Sequence, residues 1–237
     1  MECVLTNGGR SFASCLISDR ALSTSGDSME IIRHARISQR RWGGEAADYF
    51  PIHRLIDSTK ALCSDNRHRV LHTHWAVKEI VVPIFGEVFV NSAGREVDVK
   101  RLCEQDHLLV DFKQFIPTLA DFVRCLDEVP GLESRIDAFH QRFAQDDARA
   151  RLLLSPLAVT GQLKSLLITH NSWFVNAIVP RVFGSAPILA DFDLTPDDLF
   201  HRMRFDLWME NGSARPPSAA SFNNLSARAS RSPLPSL

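Results

Sequence analysis

Residues 67–86 read Arg-His-Arg-Val-Leu-His-Thr-His-Trp-Ala-Val-Lys-Glu-Ile-Val-Val-Pro-Ile-Phe-Gly. A helix turns by about 100° per residue, so His68, His72, Trp75 and Glu79 share a stripe roughly 60° wide. Val70, Leu71, Ala76, Val77, Ile80, Val81 and Val82 cover most of the remaining circumference. A helix that is apolar nearly all round is buried. Two imidazoles and a carboxylate along a buried helix need partners inside the protein. The spacing therefore predicts one central buried helix carrying a candidate site. Asp65-Asn66 supplies its turn and N-cap, Pro83 and Gly86 its end. Glu79, two turns beyond His72, is expected to be buried with it.

The flanking segments carry similar stripes. Residues 45–63 read as a helix with Pro51 in its first turn, and His53, Asp57 and Lys60 share a face at i, i+4 and i+7. The period then changes from 3.6 to 2: Val88 and Val90, the loop Asn91-Ser92-Ala93-Gly94, then Val97 and Val99 predict a β-hairpin over 87–99. Residues 100–113 return to helix with Glu104, His107 and Asp111 on one stripe. Imidazole and carboxylate at i, i+3 or i+4 point two ligands at one ion, and helical bundles build metal centres by facing such stripes inward. The ligand pool is His53, Asp57, His68, His72, His107 and Asp111, with Glu79 or Glu104 as general base. Zinc, iron or manganese would suit these donors, and an ion with an open position would acidify a bound water for hydrolase-type chemistry. A non-catalytic helical domain that binds another macromolecule, its stripes forming a structural polar network, accounts for the same residues. His74 faces away from the stripe, and His140, His170 and His201 read as structural or exposed.

Residues 34–123 also resemble a small domain of unknown function found in bacterial and phage proteins. The pattern is His34…Ser38…Trp42-Gly43-Gly44, Asp48-Tyr49, Ile52-His53…Asp57…Lys60, then Asp65-x-Arg67-His68-Arg69-x-Leu71-His72, Glu79 and Phe85-Gly86. Asn91-Ser92-x-Gly94, Glu104-Gln105, His107…Asp111 and Ile116-Pro117-Thr118-x-x-Asp121 follow. The resemblance implies that 30–127 is one unit, and it brings neither a mechanism nor a catalytic residue.

The rest of the chain sets the frame. The fold class is mainly α with one β-hairpin: a helical-bundle core domain at 30–127 and a C-terminal helical region at 132–209, with Pro130-Gly131 between them. Helices are expected at 132–145, 150–179 and 195–209, and Thr118 should N-cap a helix running to about Leu126. Residues 1–28 read as a disordered leader, with Met29 as a conceivable natural start, and 211–237 as a disordered tail. The arginines 33, 36, 40 and 41 read as a solvated face beside Trp42 and the Gly43-Gly44 stop. A net charge of −1 gives no nucleic-acid signature, and no apolar run is long enough for a membrane span. A protein partner remains compatible with the sequence. Five cysteines at 3, 15, 63, 103 and 125, without finger or redox-pair spacing, favour reduced thiols in a cytoplasm. Residues 71–86 and 169–184 align without a gap through His72/His170, Trp75/Trp173, Val77/Val175, Ile80/Ile178, Val81/Val179, Phe85/Phe183 and Gly86/Gly184. A duplicated helical unit would explain that agreement, and its second copy would lack the polar stripe.

Overall fold

A computed structural model of the chain describes residues 25–113, 115–144, 146–188 and 190–205, with side chains from Glu30 onward. Residues 1–24 of the expected leader and the whole expected tail lie outside the described residues. Helix α1 spans Ser25–Trp42 and so begins inside the segment expected to be leader. Its arginine run is amphipathic: His34, Ala35 and Ser38 are buried, whereas Arg33, Arg36, Arg40 and Arg41 face solvent. Gly43 and Gly44, both at positive φ, end it. A Cβ on Gly44 would lie 2.4 Å from Asp48 Oδ2, so a larger residue there would push that carboxylate off Glu45 N and Ser92 and hold a strained φ of +67.

Helix α2 covers Phe50–Ile56, with Pro51 in its first turn, and Asp57 is its C-cap. Two 3-10 turns follow, Ser58–Ala61 and Asn66–Leu71. The single helix expected over 67–86 is broken. Asp65 caps the second 3-10 turn by accepting from Arg67 N, His72 leaves helical geometry at φ −82 and ψ 56, and Thr73 is extended. Thr73 Oγ1 then accepts from Ala76 N at 3.3 Å and starts a new helix. That helix, α3, runs as His74–Ala76, a π-helical turn Val77–Val81, and a last α turn Val82–Phe85.

Strands β1 (Val88–Val90) and β2 (Glu96–Asp98) form the expected antiparallel hairpin, with Phe89 opposite Val97. Helix α4 runs as Val99–Leu102, a π-helical stretch Cys103–Leu108 and Leu109–Asp111. Helix α5, Leu119–Val123, starts at a capping box between Thr118 and Asp121. The C-terminal part adds α6 (Leu132–Phe143), α7 (Asp147–Thr160), a 3-10 turn Leu163–Ile168, α8 (a π turn Phe174–Ile178, then Val179–Phe183) and α9 (Pro196–Phe200). The helix expected over 150–179 stops at Gly161, which holds a left-handed C-cap at φ +67. Pro156 sits inside α7 without ending it. Proline cannot donate to the carbonyl of Leu152, and Ser155 Oγ donates to that oxygen instead, at 2.8 Å.

Both aligned segments pass through a 3-10 turn, a capping side chain (Thr73, Asn171), a π turn, a short α turn with Pro83 or Pro180, and a glycine at positive φ. One apolar cluster includes Leu71, Trp75, Phe112 and Phe122 from before Pro130 and Phe139, Leu153 and Phe174 from after it. Among the described residues no helix is long and apolar enough to cross a membrane.

Candidate metal centre

Four pieces of the first hundred or so residues deliver their polar side chains to one buried spot. Helix α1 brings His34 and Ser38, α2 brings His53 and the capping Asp57, the broken segment brings His68 and His72, and α4 brings His107 and Asp111. All are buried except Asp111, whose side chain is 14% exposed. His72 Nε2 lies 3.1 Å from His107 Nε2, 3.3 Å from Asp57 Oδ1 and 3.2 Å from Asp111 Oδ2. His107 Nε2 is 3.8 Å from each of the same two carboxylate oxygens. Asp111 Oδ1 reaches His34 Nε2 at 3.1 Å. Two groups have ligand atoms within 4.8 Å of one another: His34, His107 and Asp111, and Asp57, His68 and His72.

The ring orientations are fixed from outside the cluster. His34 Nδ1 lies 2.8 Å from the carbonyl of Asp106, and His68 Nδ1 2.5 Å from the carbonyl of Asp65. A carbonyl only accepts, so both Nδ1 atoms carry the hydrogen and donate it. His68 Nε2 then presents a lone pair, whereas His34 Nε2 faces Asp111 Oδ1 and would release any hydrogen it donates there when an ion binds. His107 Nδ1 meets His53 Nδ1 at 2.9 Å, and His53 Nε2 meets Ser38 Oγ at 2.9 Å. His34 stacks on His107 with ring centroids 4.1 Å apart. Among the described residues, His68 Nε2, Asp57 Oδ2 and His72 Nδ1 are buried with no hydrogen-bond partner.

Charge follows the same pattern. Burial pushes His53 well below its usual range, with His107 and His34 adding to the effect. Burial likewise takes His68 down to about 3 and His107 down to about 4. Burial alone would raise the two carboxyls, but the histidines around them win. Hydrogen bonds from His107 and His72 hold Asp57 far below the carboxylate range, and those from His34 and His72 do the same for Asp111. His72 is raised because the pull of Asp111 and Asp57 outweighs its burial. Neutral His68 and His107 beside ionised Asp57 and Asp111 are in the protonation states that bind metal ions, whereas His72 holds its proton more tightly and would have to release it to an ion.

All six residues expected as ligands (His53, Asp57, His68, His72, His107 and Asp111) are thus brought together. The two expected bases are not. Glu79 is partly exposed and pairs with Lys78 at 3.1 Å, because the break at Thr73 ends the stripe that linked it to His68 and His72. Glu104 turns to His74 at 2.9 Å and Lys100 at 3.9 Å. The wider π turn between Glu104 and His107 rotates the two apart. Spacing did not single out His34 as a candidate ligand, although Ser38 one turn on and Ala35 beside it marked an inward face within the arginines. It also missed Asp106, which takes Trp42 Nε1–H at 2.8 Å and Arg41 Nε at 2.7 Å. Other motif residues, Gly43, Asp48, Tyr49, Asn91 and Ser92, dock the hairpin. Tyr49 OH donates to the Gly43 carbonyl at 2.6 Å, Asn91 Nδ2 to Tyr49 Oη at 3.0 Å, and Ser92 Oγ to Asp48 Oδ2 at 2.7 Å.

No curated protein and no solved structure matches the chain. Residues 29–132, which hold every residue of the cluster, match the model of a family described as a domain of unknown function, DUF6915.

Proposed function

We propose that residues 30–127 form a divalent transition-metal centre, with zinc, manganese or iron on the buried histidines and aspartates. The observation that carries this reading is the pair of imidazoles tied by Nδ1–H to backbone carbonyls. It leaves two Nε2 atoms as donors for an ion, that of His34, 3.1 Å from Asp111 Oδ1, and that of His68, which has no partner in the described structure. Histidine ligands are commonly oriented in this way by their second nitrogen, whereas a purely structural network would be expected to satisfy His68 Nε2. The edge nearest solvent is formed by Asp111 and Lys60, the latter bound to Asp57 at 3.1 Å and to Glu30. An ion reached by water from that edge would supply Lewis acidity and an acidified water, the basis of hydrolase-type chemistry. Neither Glu79 nor Glu104 is assigned a part in it. Cys63, Cys103 and Cys125 are buried and, among the described residues, joined in no disulfide, which fits a reducing cytoplasm.

A second reading rests on His72, whose charged form between Asp57 and Asp111 would balance the cluster without an ion. Elemental analysis of the untagged full chain separates the two. Bound metal near or above one equivalent, with a melting temperature that falls on chelation, supports the centre. Substoichiometric metal, and no stabilisation by added zinc, manganese or iron, leaves the polar network.

A further inference from the structure

We propose that the centre is dinuclear, with one ion on Asp57, His68 and His72 and a second on His34, His107 and Asp111, the two carboxylates lying between them. This rests on the metal reading above and specifies its nuclearity. The two ligand groups share no residue, and together they offer four imidazoles and two carboxylates. A single tetrahedral ion takes about four protein ligands. The set around the His72–His107 contact, with Asp57 and Asp111 each within 3.8 Å of both rings, leaves His68 aside, although its side chain is buried and its Nε2 has no partner.

The carboxylates straddle the two sets. Asp111 turns Oδ1 toward His34 at 3.1 Å and Oδ2 toward His72 at 3.2 Å, so its two oxygens face different groups. Asp57 Oδ1 faces His72 at 3.3 Å and His107 at 3.8 Å, and Lys60 approaches the same atom at 3.1 Å. Its Oδ2 has no donor and is the oxygen left for an ion shared with His68. Carboxylates that face two ligand sets are what hold two ions about 3.5–4 Å apart in two-metal sites. The fifth imidazole, His53, serves as a support: it meets His107 Nδ1 with one nitrogen and Ser38 with the other.

Reloading the metal-stripped, untagged full chain with Mn²⁺ alone tests this by elemental analysis and electron paramagnetic resonance. Two equivalents per chain are expected, with the multiline signal of an exchange-coupled pair. His68→Gln and His34→Gln should each keep about one equivalent and show the pattern of an isolated ion, with circular dichroism confirming that they fold. If either variant does not fold, the stoichiometry and spectrum of the native chain decide alone. One equivalent in the native chain would overturn the dinuclear centre and leave the single-ion reading standing. Two uncoupled ions would overturn the shared carboxylates, and no tight Mn²⁺, Zn²⁺ or Fe²⁺ would overturn both readings.

Discussion

Glu79 has a side chain 30% exposed, and its partner Lys78 is more exposed still. Surface pairs of this kind contribute about 0–1 kcal/mol, so Glu79→Gln should shift stability in urea by less than about 0.5 kcal/mol and leave metal content unchanged. Ser38 is the opposite case. Ser38→Ala removes the hydroxyl that meets His53 Nε2 and strands a buried nitrogen, at a cost of about 1–3 kcal/mol by the same denaturation measurement. His170, outside the cluster, makes stability depend on pH. Burial, helped by His140, lowers it to about 3, below its unfolded value near 6.5. The unfolded chain therefore binds the proton first. The contribution of His170 is complete above about pH 6.5 and declines toward pH 3, by about 1.4 kcal/mol per pH unit. His170→Asn should flatten the native chain's loss of stability between pH 6 and 4, and an unchanged slope would show that His170 is not buried in its neutral form. At this scale the sequence showed the six ligand-type residues because their chemistry is rare on buried faces. It hid His34, which is a single imidazole among arginines whose other face alone is solvated.

At the scale of elements, helical periodicity located the segments but not their phase. A wheel drawn through residues 67–86 assumes an unbroken α-helix. In the structure a 3-10 turn, an extended Thr73 and a π turn each change the angle between residues. The hairpin and the capping box at Thr118 and Asp121 were legible because both depend on residues close in sequence. The π turns were not, since an inserted residue in a helix has no fixed composition and is held by tertiary packing. Their recurrence in α3, α4 and α8 makes the caps that set helix phase important. Thr73→Ala removes one hydrogen bond to Ala76 N at 3.3 Å and should cost about 0.5–2 kcal/mol. The corresponding Asn171 accepts from Phe174 N at 3.0 Å and also donates to the carbonyls of Leu167 and Ile168. Asn171→Ala should therefore destabilise more than Thr73→Ala under identical denaturation, and the reverse order would mean that the two segments do not share a capping logic. Metal content should drop only in Thr73→Ala, since that cap neighbours His72.

At the scale of the whole molecule, the question is whether the two sides of Pro130-Gly131 melt together. Trp75 Nε1–H donates to Ser155 Oγ at 2.9 Å, and the same hydroxyl donates to the Leu152 carbonyl left open by Pro156. The defect in α7 and the tryptophan of α3 are thus satisfied by one serine. Arg67, held by Asp65 next to His68, donates to the Phe200 carbonyl at 2.8 Å, and Leu126 pairs with Met203 in a β-bridge. The apolar cluster runs across the same junction. A Pro-Gly turn can mark a boundary in sequence, yet burial across it makes each side the other's solvent shield. The full chain should accordingly show one cooperative transition, with tryptophan fluorescence and far-ultraviolet circular dichroism superimposing. Residues 29–132 produced alone would expose Trp75 and strand its indole N–H, so they should melt at a lower temperature or without cooperativity. On the metal reading, metal added to that fragment should raise its melting temperature, because every candidate ligand of the cluster lies within it. Two resolved transitions in the full chain, or a fragment as stable as the whole, would show that the shared core contributes little and that 30–127 stands as an independent domain.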